Sequence, residues 1–322
     1  MTEAAYGVTD VKLLKKGRNE MTDIIIIGAG PAGLTAAIYA LRAGKSVVLL
    51  EAKAYGGQIV NTPDIENYPG LKHVSGFEYA TTLYEQATSF GAELKYETAV
   101  SIEDKGESKV VKTDSGTDYE GRAVIIATGA KNRHMGIDRE EELTGRGVSY
   151  CATCDGAFFR GRDVAVYGGG NTALSDALFL SEYCKTVYII HRRDQFRGSD
   201  ADVAKVKGRE NIKLVLNSTV EGLKGDKTLS AVTVKNKLTG ELSDIEVQGI
   251  FVAIGQEPEN KGFENVAELD GKGYVLSGEG CTTKTPGVFT AGDCRTKEVR
   301  QLTTAVSDGA VAALAACSGL LY

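Results

Sequence analysis

The chain is poor in several things, and each shortage closes a route. Only 5 of its 322 residues are proline against 39 glycines, which suits tight strand–helix turns better than a disordered chain. No apolar run approaches the roughly 20 residues that a membrane span needs. The polar start, Met1 to Glu20, has no continuous hydrophobic segment of signal-peptide type and reads as an extension carrying little chemistry. No membrane partner is expected, and a cytoplasmic location follows by default. Positive charge is also short: 37 Lys and Arg against 43 Asp and Glu leave a net charge of -6, so nucleic acid is not a favoured partner. Six cysteines are too few for a disulfide scaffold, and only Cys151 and Cys154 lie close together. Three histidines form no Ser/His/Asp arrangement, and His73 and His134 have no acid–base company nearby in sequence. Both are expected to be surface or structural residues.

What remains is a soluble composition, 42% hydrophobic and 25% charged, long enough for two domains. It carries one device twice. Ile24 to Ile27 reads as a buried parallel strand. Gly28-Ala29-Gly30-Pro31-Ala32-Gly33 follows at once, then a helical stretch from Leu34 to Arg42. In such a motif the first glycine permits the turn, the second lets backbone approach a pyrophosphate, and the third packs helix on strand. A second strand, Val47 to Leu50, ends in Glu51, 23 residues beyond Gly28, where a carboxylate can accept hydrogen bonds from an adenosine ribose.

The second copy starts 140 residues later. Val164 to Tyr167 leads into Gly168-Gly169-Gly170-Asn171-Thr172-Ala173, then a helix to about Ser181 and a strand, Val187 to Ile190. His191 stands 23 residues beyond Gly168, where the first copy has its acid, with Arg192, Arg193 and Arg197 behind it. Guanidinium forks hold a ribose 2′-phosphate that a carboxylate would repel, so this copy reads as NADP-type. A solvated basic face is the plainer alternative. His191 either joins the phosphate site or caps the strand end.

Ala127-Thr128-Gly129-Ala130 and Ala253-Ile254-Gly255-Gln256 follow strands on either side of the second copy. Both look like small-residue crossings. The expected organisation is an extension over 1–20, a first domain over 21–130 completed by 254–322, and an inserted domain over 131–253. In the last third, Gly287 to Asp293 reads as a short strand and a turn, followed by helical periodicity from Val299 to Ala316. Asp293, beside Gly292, could bond a cofactor hydroxyl or cap the turn. Arg300 and Gln301 are expected to open the helix and face the cofactor. Gly56-Gly57-Gln58 and Asn67-Tyr68-Pro69-Gly70 are loops that could approach a flat ring or simply turn.

Between the two copies sits Cys151-Ala152-Thr153-Cys154-Asp155. Two thiols at this spacing can cycle to a disulfide, and Asp155 can relay protons as it opens, unless it serves only as a turn residue. A zinc site would need a second cysteine pair. Cys184, Cys281, Cys294 and Cys317 are scattered without ligand spacing, so no metal is expected. Cys294 alone, beside Asp293, lies where it could approach a cofactor. A nucleotide reductant, a second bound nucleotide cofactor and a dithiol together point to a redox enzyme acting on disulfides.

From about Thr22 to Ala316 the residues resemble the low-molecular-weight thioredoxin reductases of the FAD/NAD(P)-linked disulfide oxidoreductase family. The resemblance is most specific at Cys151 to Asp155, Gly168 to Ala173, His191 to Arg193 and Arg197, and it extends to Thr290 to Cys294 and Arg300-Gln301. It implies an α/β fold of two Rossmann-like three-layer dinucleotide-binding domains, the NADPH domain inserted into the FAD domain. FAD would be contacted around Gly28 to Gly33, Glu51, Gly57, Gln58, Asn67, Gly129, Gly292, Asp293 and Gln301, and NADPH by Gly168 to Ala173 and the arginines. The resemblance also implies a homodimer, thioredoxin as the partner in trans, and rotation of the inserted domain about hinges near Ala130 and Ala253. Cys154 would face the flavin and Cys151 would attack the substrate disulfide. The chain departs from the family pattern at Gly198, at Ser175-Asp176 and at Val299.

Overall fold

Four consecutive isoleucines have no polar side to offer water. The chain buries all four, Ile24 to Ile27, in β1 (Thr22–Ile27), a central strand of a parallel array. Full burial of each such side chain contributes about 1.5–3 kcal/mol. This computed structural model describes residues 21–62 and 64–320, so the extension expected over 1–20 lies outside the described residues. The helix α1 (Pro31–Arg42) starts three residues earlier than its apolar pattern suggests, because proline at the first helical position is pre-shaped for that turn. β2 (Val47–Leu50), α2 (Gly76–Ser89), β3 (Glu93–Lys95), β4 (Ala99–Asp104), β5 (Lys109–Thr113) and β6 (Asp118–Ile126) follow. Ser75 caps α2 through the Glu78 amide.

β7 (Ala130–Asn132), α3 (Glu140–Leu143), β8 (Val148–Ser149) and α4 (Ala152–Asp155) lead into the second unit. Then come β9 (Asp163–Gly168), α5 (Asn171–Ser181), β10 (Thr186–Ile190), α6 (Asp200–Lys207) and β11 (Ile212–Val215). β12 (Ser218–Lys224), β13 (Ala231–Asn236) and β14 (Leu242–Glu246) form a small antiparallel sheet. β15 (Gly249–Ala253), β16 (Gln256–Pro258), β17 (Val288–Thr290) and α7 (Leu302–Gly319) complete the chain.

The first sheet runs β3-β2-β1-β6-β5-β4, with β17 also on β6. Nine-residue β6 changes partner along its length: Asp118 to Gly121 face β5, and Val124 to Ile126 face β17. Strands from both ends of the chain therefore share one sheet. The second sheet, β11-β10-β9-β15-β8, pairs in parallel throughout and lies between them in sequence. Between the two sheets, β7 and β16 pair antiparallel, Asn132 opposite Gln256 and Ala130 opposite Pro258. Ion pairs Lys131–Glu259 and Arg133–Glu257 strap these strands from the solvent side.

The terminal helix starts at Leu302 rather than at Val299, because Gln301 forms its cap: the Gln301 side chain accepts the Thr304 amide, and the Thr304 hydroxyl accepts the Gln301 amide. By length and composition α7 could cross a membrane. It packs its alanine face on α1 instead, and a Cβ at Gly309 would strike the Ala32 carbonyl. Asp308 on the same helix accepts from Arg295 at 2.7 and 2.8 Å, from Lys297 at 2.8 Å and from the Gly292 amide at 3.0 Å. A buried carboxylate with four donors fixes the turn that precedes the helix.

Candidate active site

The first glycine turn forms as its residue types dictate. Gly28 has φ 105°, and a Cβ there would collide with the Ala127 carbonyl. Gly30 is the N-cap of α1 with no side chain bonded to its amides, so the first-turn N–H groups stay available to an anion. Gly57 closes over this turn, close enough that its Cβ would lie 3.3 Å from the Gly30 Cα. Gly129, at φ 69°, borders open space. Glu51 accepts the Ala29 amide at 2.8 Å and the Lys53 amide at 3.0 Å, which fixes the carboxylate at the strand end.

Asp293 supplies the clearest mark of a cofactor site. Its Oδ1 is buried without a hydrogen-bond partner, and burial pushes its carboxyl above the ordinary range. An orphaned acceptor beside an uncapped helix N-terminus and a backbone cradle fits a phosphate-bearing dinucleotide with free hydroxyls. The Asp308 network holds this turn through Gly292. Other expected contact residues also have partners within the protein. The Gln58 amide donates to the Ala130 carbonyl and accepts from Asn132, so it ties the loop to β7. Arg300 lies outside the helix; its guanidinium covers the Tyr274 ring at 4.2 Å and donates to the carbonyls of Asp293, Arg295 and Lys297. Cys294 turns into the core towards the Thr290 hydroxyl and the carbonyls of Ile126 and Ala291. Asn67 reaches Gln301 at 3.5 Å.

The second turn repeats the plan. Gly170 is the uncapped N-cap of α5, Asn171 and Thr172 are exposed at its first turn, and Ala173 is buried under Gly168. The Asn171 Oδ1 accepts the Ser199 amide at 2.9 Å, which draws the Arg197 loop over the glycines. Arg192, Arg193 and Arg197 are exposed, and among the described residues none enters an ion pair. His191 does not join them. Its buried ring stacks on Phe196 and fills the space a Gly169 Cβ would need, and burial, then the arginines, lower its pKa. Gly198 also has a packing reason, since a Cβ there would press into Leu174. Ser175 is exposed, whereas burial pushes Asp176 up to about 7.

Cys151 and Cys154 are joined as a disulfide with Cα atoms 5.3 Å apart, Cys151 capping the short α4. Ser149 organises the pair: its hydroxyl accepts the Cys151 amide at 3.1 Å and donates to the Asp155 carboxylate at 2.6 Å. Burial raises the Asp155 pKa and the Ser149 bond partly offsets this. A carboxyl so placed stays protonated to higher pH than an exposed one. Sequence reasoning passed over Ser149, two residues upstream of Cys151, and Thr153 inside the motif. The Thr153 hydroxyl accepts from Gln301 Nε2 at 3.1 Å, so the dithiol turn lies against the cofactor-side residues of the first unit.

Two histidines have company that their sequence neighbourhoods conceal. His134 Nδ1 lies 2.9 Å from the Tyr150 hydroxyl, which donates to the buried Glu140 carboxylate. His73 pairs with Asp64 and Glu66 at the surface. The four remaining cysteines are buried free thiols.

This geometry defines a flavin- and nicotinamide-type disulfide oxidoreductase, and comparison agrees: the family model described as pyridine nucleotide-disulphide oxidoreductase matches residues 22–309, and the chain belongs to that family. Within it the chain is similar to several proteins named thioredoxin reductase. It is 43% identical to the thioredoxin reductase of Bacillus subtilis (strain 168), over 90% of this chain and 92% of that protein. It is also 43% identical to the bifunctional thioredoxin reductase/thioredoxin of Mycobacterium leprae (strain TN), over 91% of this chain and 64% of that protein, so it spans less than two thirds of that longer relative. The crystal structure of thioredoxin reductase from Streptococcus pyogenes MGAS5005 matches with a TM-score of 0.89 at 42% identity, covering 94% of this chain and 98% of that one. Lactococcus lactis thioredoxin reductase in its FR conformation matches with a TM-score of 0.65 at 39% identity, covering 93% and 99%.

Proposed function

We propose that the chain is an NADPH-dependent, FAD-containing thioredoxin-disulfide reductase. The observation that carries this reading is the Cys151–Cys154 disulfide set against the first-unit site through the Thr153–Gln301 contact. When bound, the nicotinamide and flavin would supply hydride and electron transfer, and the protein supplies position and protons. The N-terminus of α1, Glu51 and Asp293 would hold FAD; Gly170, Asn171, Thr172 and the three arginines would hold NADPH with its 2′-phosphate. Asp155, whose pKa burial raises, delivers a proton as the disulfide opens. Cys154 is the flavin-facing sulfur, and Cys151 attacks the disulfide of thioredoxin.

One domain spans 21–130 and 254–322, the other 131–253. The dithiol and the arginines share one unit, so both can serve one flavin only by turns. The fall in TM-score at nearly equal identity and coverage supports two arrangements of the units. The working form is a cytoplasmic homodimer. A relative using NADH or ferredoxin, or reducing a small-molecule disulfide, is the alternative, and the free arginine trio favours NADPH. The test is anaerobic mixing of the yellow protein with NADPH or NADH, followed by reduction of a disulfide dye with and without thioredoxin. Rapid bleaching by NADPH and thioredoxin-dependent turnover are expected; a colourless protein, or dye reduction indifferent to thioredoxin, would overturn the reading.

A further inference from the structure

We propose that Thr153 is a third working residue of the dithiol: its hydroxyl, oriented by the Gln301 amide across the two units, donates to the Cys151 sulfur and stabilises the thiolate formed when the disulfide opens. The inference rests on the reading of Cys151 and Cys154 as the working pair.

The orientation follows from counting donors. The Thr153 Oγ1 lies 3.1 Å from Gln301 Nε2 and 3.4 Å from Cys151 Sγ. The other end of the Gln301 amide is committed, because its oxygen accepts the Thr304 backbone N–H in the helix cap and lies near Asn67 Nδ2. Only the NH2 of Gln301 is left to face Thr153, and it can only donate. A hydroxyl that accepts from one side turns its single proton to the other, where the sulfur stands. A disulfide sulfur has no proton to give, so the hydroxyl is the donor in that contact.

When a dithiol such as dithiothreitol delivers two electrons and is itself oxidised to a disulfide, the Sγ–Sγ bond breaks. With one proton from the Asp155 side, the products are a Cys154 thiol and a Cys151 thiolate. The Thr153 hydrogen bond strengthens as full charge arrives on the Cys151 sulfur. Gln301 belongs to the first unit, so this support exists only while the dithiol lies against it. Once the units part, the thiolate loses an oriented donor, and its basicity and nucleophilicity rise together. Thr153 would thus favour opening of the disulfide in one arrangement and leave Cys151 more reactive in the other.

The test needs neither nucleotide nor thioredoxin. The holoenzyme is reduced with dithiothreitol, treated with iodoacetamide across about pH 5 to 9, and the modified Cys151 peptide is quantified by mass spectrometry. Thr153→Val should move the alkylation midpoint to higher pH and slow alkylation below it by about three- to tenfold, the effect of one hydrogen bond. Thr153→Ser should retain the wild-type profile. Gln301→Leu should reproduce the shift, and the double variant should move no further than either single one. Flavin content and thermal midpoint report folding of each variant. An unchanged Thr153→Val profile, a serine variant as impaired as valine, or additive shifts would overturn the proposal. A holoenzyme that shows these shifts but never turns over thioredoxin would refute the proposed function alone.

Discussion

The two glycine turns share a plan and differ where the following strand ends. In the first, Glu51 is fixed by two backbone amides. In the second, a buried imidazole takes the same place, and three exposed guanidiniums stand beyond it. Both helices lack a side-chain cap, so both can receive a phosphate. Under the proposed function, the sign of the charge at the strand end selects which ribose is accepted. On that proposal a repeated scaffold carries two specificities through a handful of residues, and the dithiol between them adds the acceptor.

The comparison breaks most completely at the acceptor. Cys154→Ser should leave flavin bleaching by NADPH intact and abolish thioredoxin reduction, a loss of about a thousandfold or more in steady-state turnover. Next, replacing Arg192, Arg193 and Arg197 with alanine should weaken NADPH binding by about a hundredfold and NADH binding far less, read by titration of flavin reduction. An equal effect on both nucleotides would place the 2′-phosphate elsewhere. Asp155→Asn should slow disulfide opening by roughly ten- to a hundredfold. Burial raises the wild-type carboxyl, so the protonated donor is lost as pH climbs through that raised pKa, and the rate should fall with it. The asparagine variant should lack that limb in stopped-flow traces.

The smallest effect concerns stability. Asp176 has a folded pKa near 7 against 3.8 for the free side chain. Its protonated form suits the fold, so stability is fully present below the unfolded value and is lost as pH rises towards 7. Asp176→Asn should therefore stabilise the protein at pH 8 by roughly 2 kcal/mol, about half of what the full shift converts to, and by nothing below about pH 4. Denaturant melts at the two pH values would decide it.

Much of this was legible because it is local. The glycine turns, the strand-end residues and the cysteine pair each lie within a few positions, and their spacing states their geometry. What escaped the sequence is long-range. Gln301 and Thr153 are 148 residues apart and meet only once both units have folded. Gln58 reads as a cofactor contact, and nothing local announces that its amide also meets Ala130 and Asn132, more than 70 positions away. The sequence leaves His191 between a phosphate contact and a cap of the strand end, and only the fold shows its ring turned inward over Gly169, which has no Cβ. The apolar periodicity of the last helix runs back to Val299, but a cap formed by Gln301 and Thr304 fixes the start at Leu302, leaving Arg300 on the neighbouring carbonyls. Hydrophobic pattern shows which face is buried and is silent on which side chains close the ends.

The paired strands that join the two units have a topological consequence. Because Asn132 faces Gln256 across an antiparallel pair, the second unit hangs from the tip of a β-hairpin. A turn of about two residues could bridge those positions. A shortened chain lacking 133–255 would keep every strand of the first sheet, and its retention of a flavin would measure how far that half is a self-sufficient module to which a reductase arm was grafted.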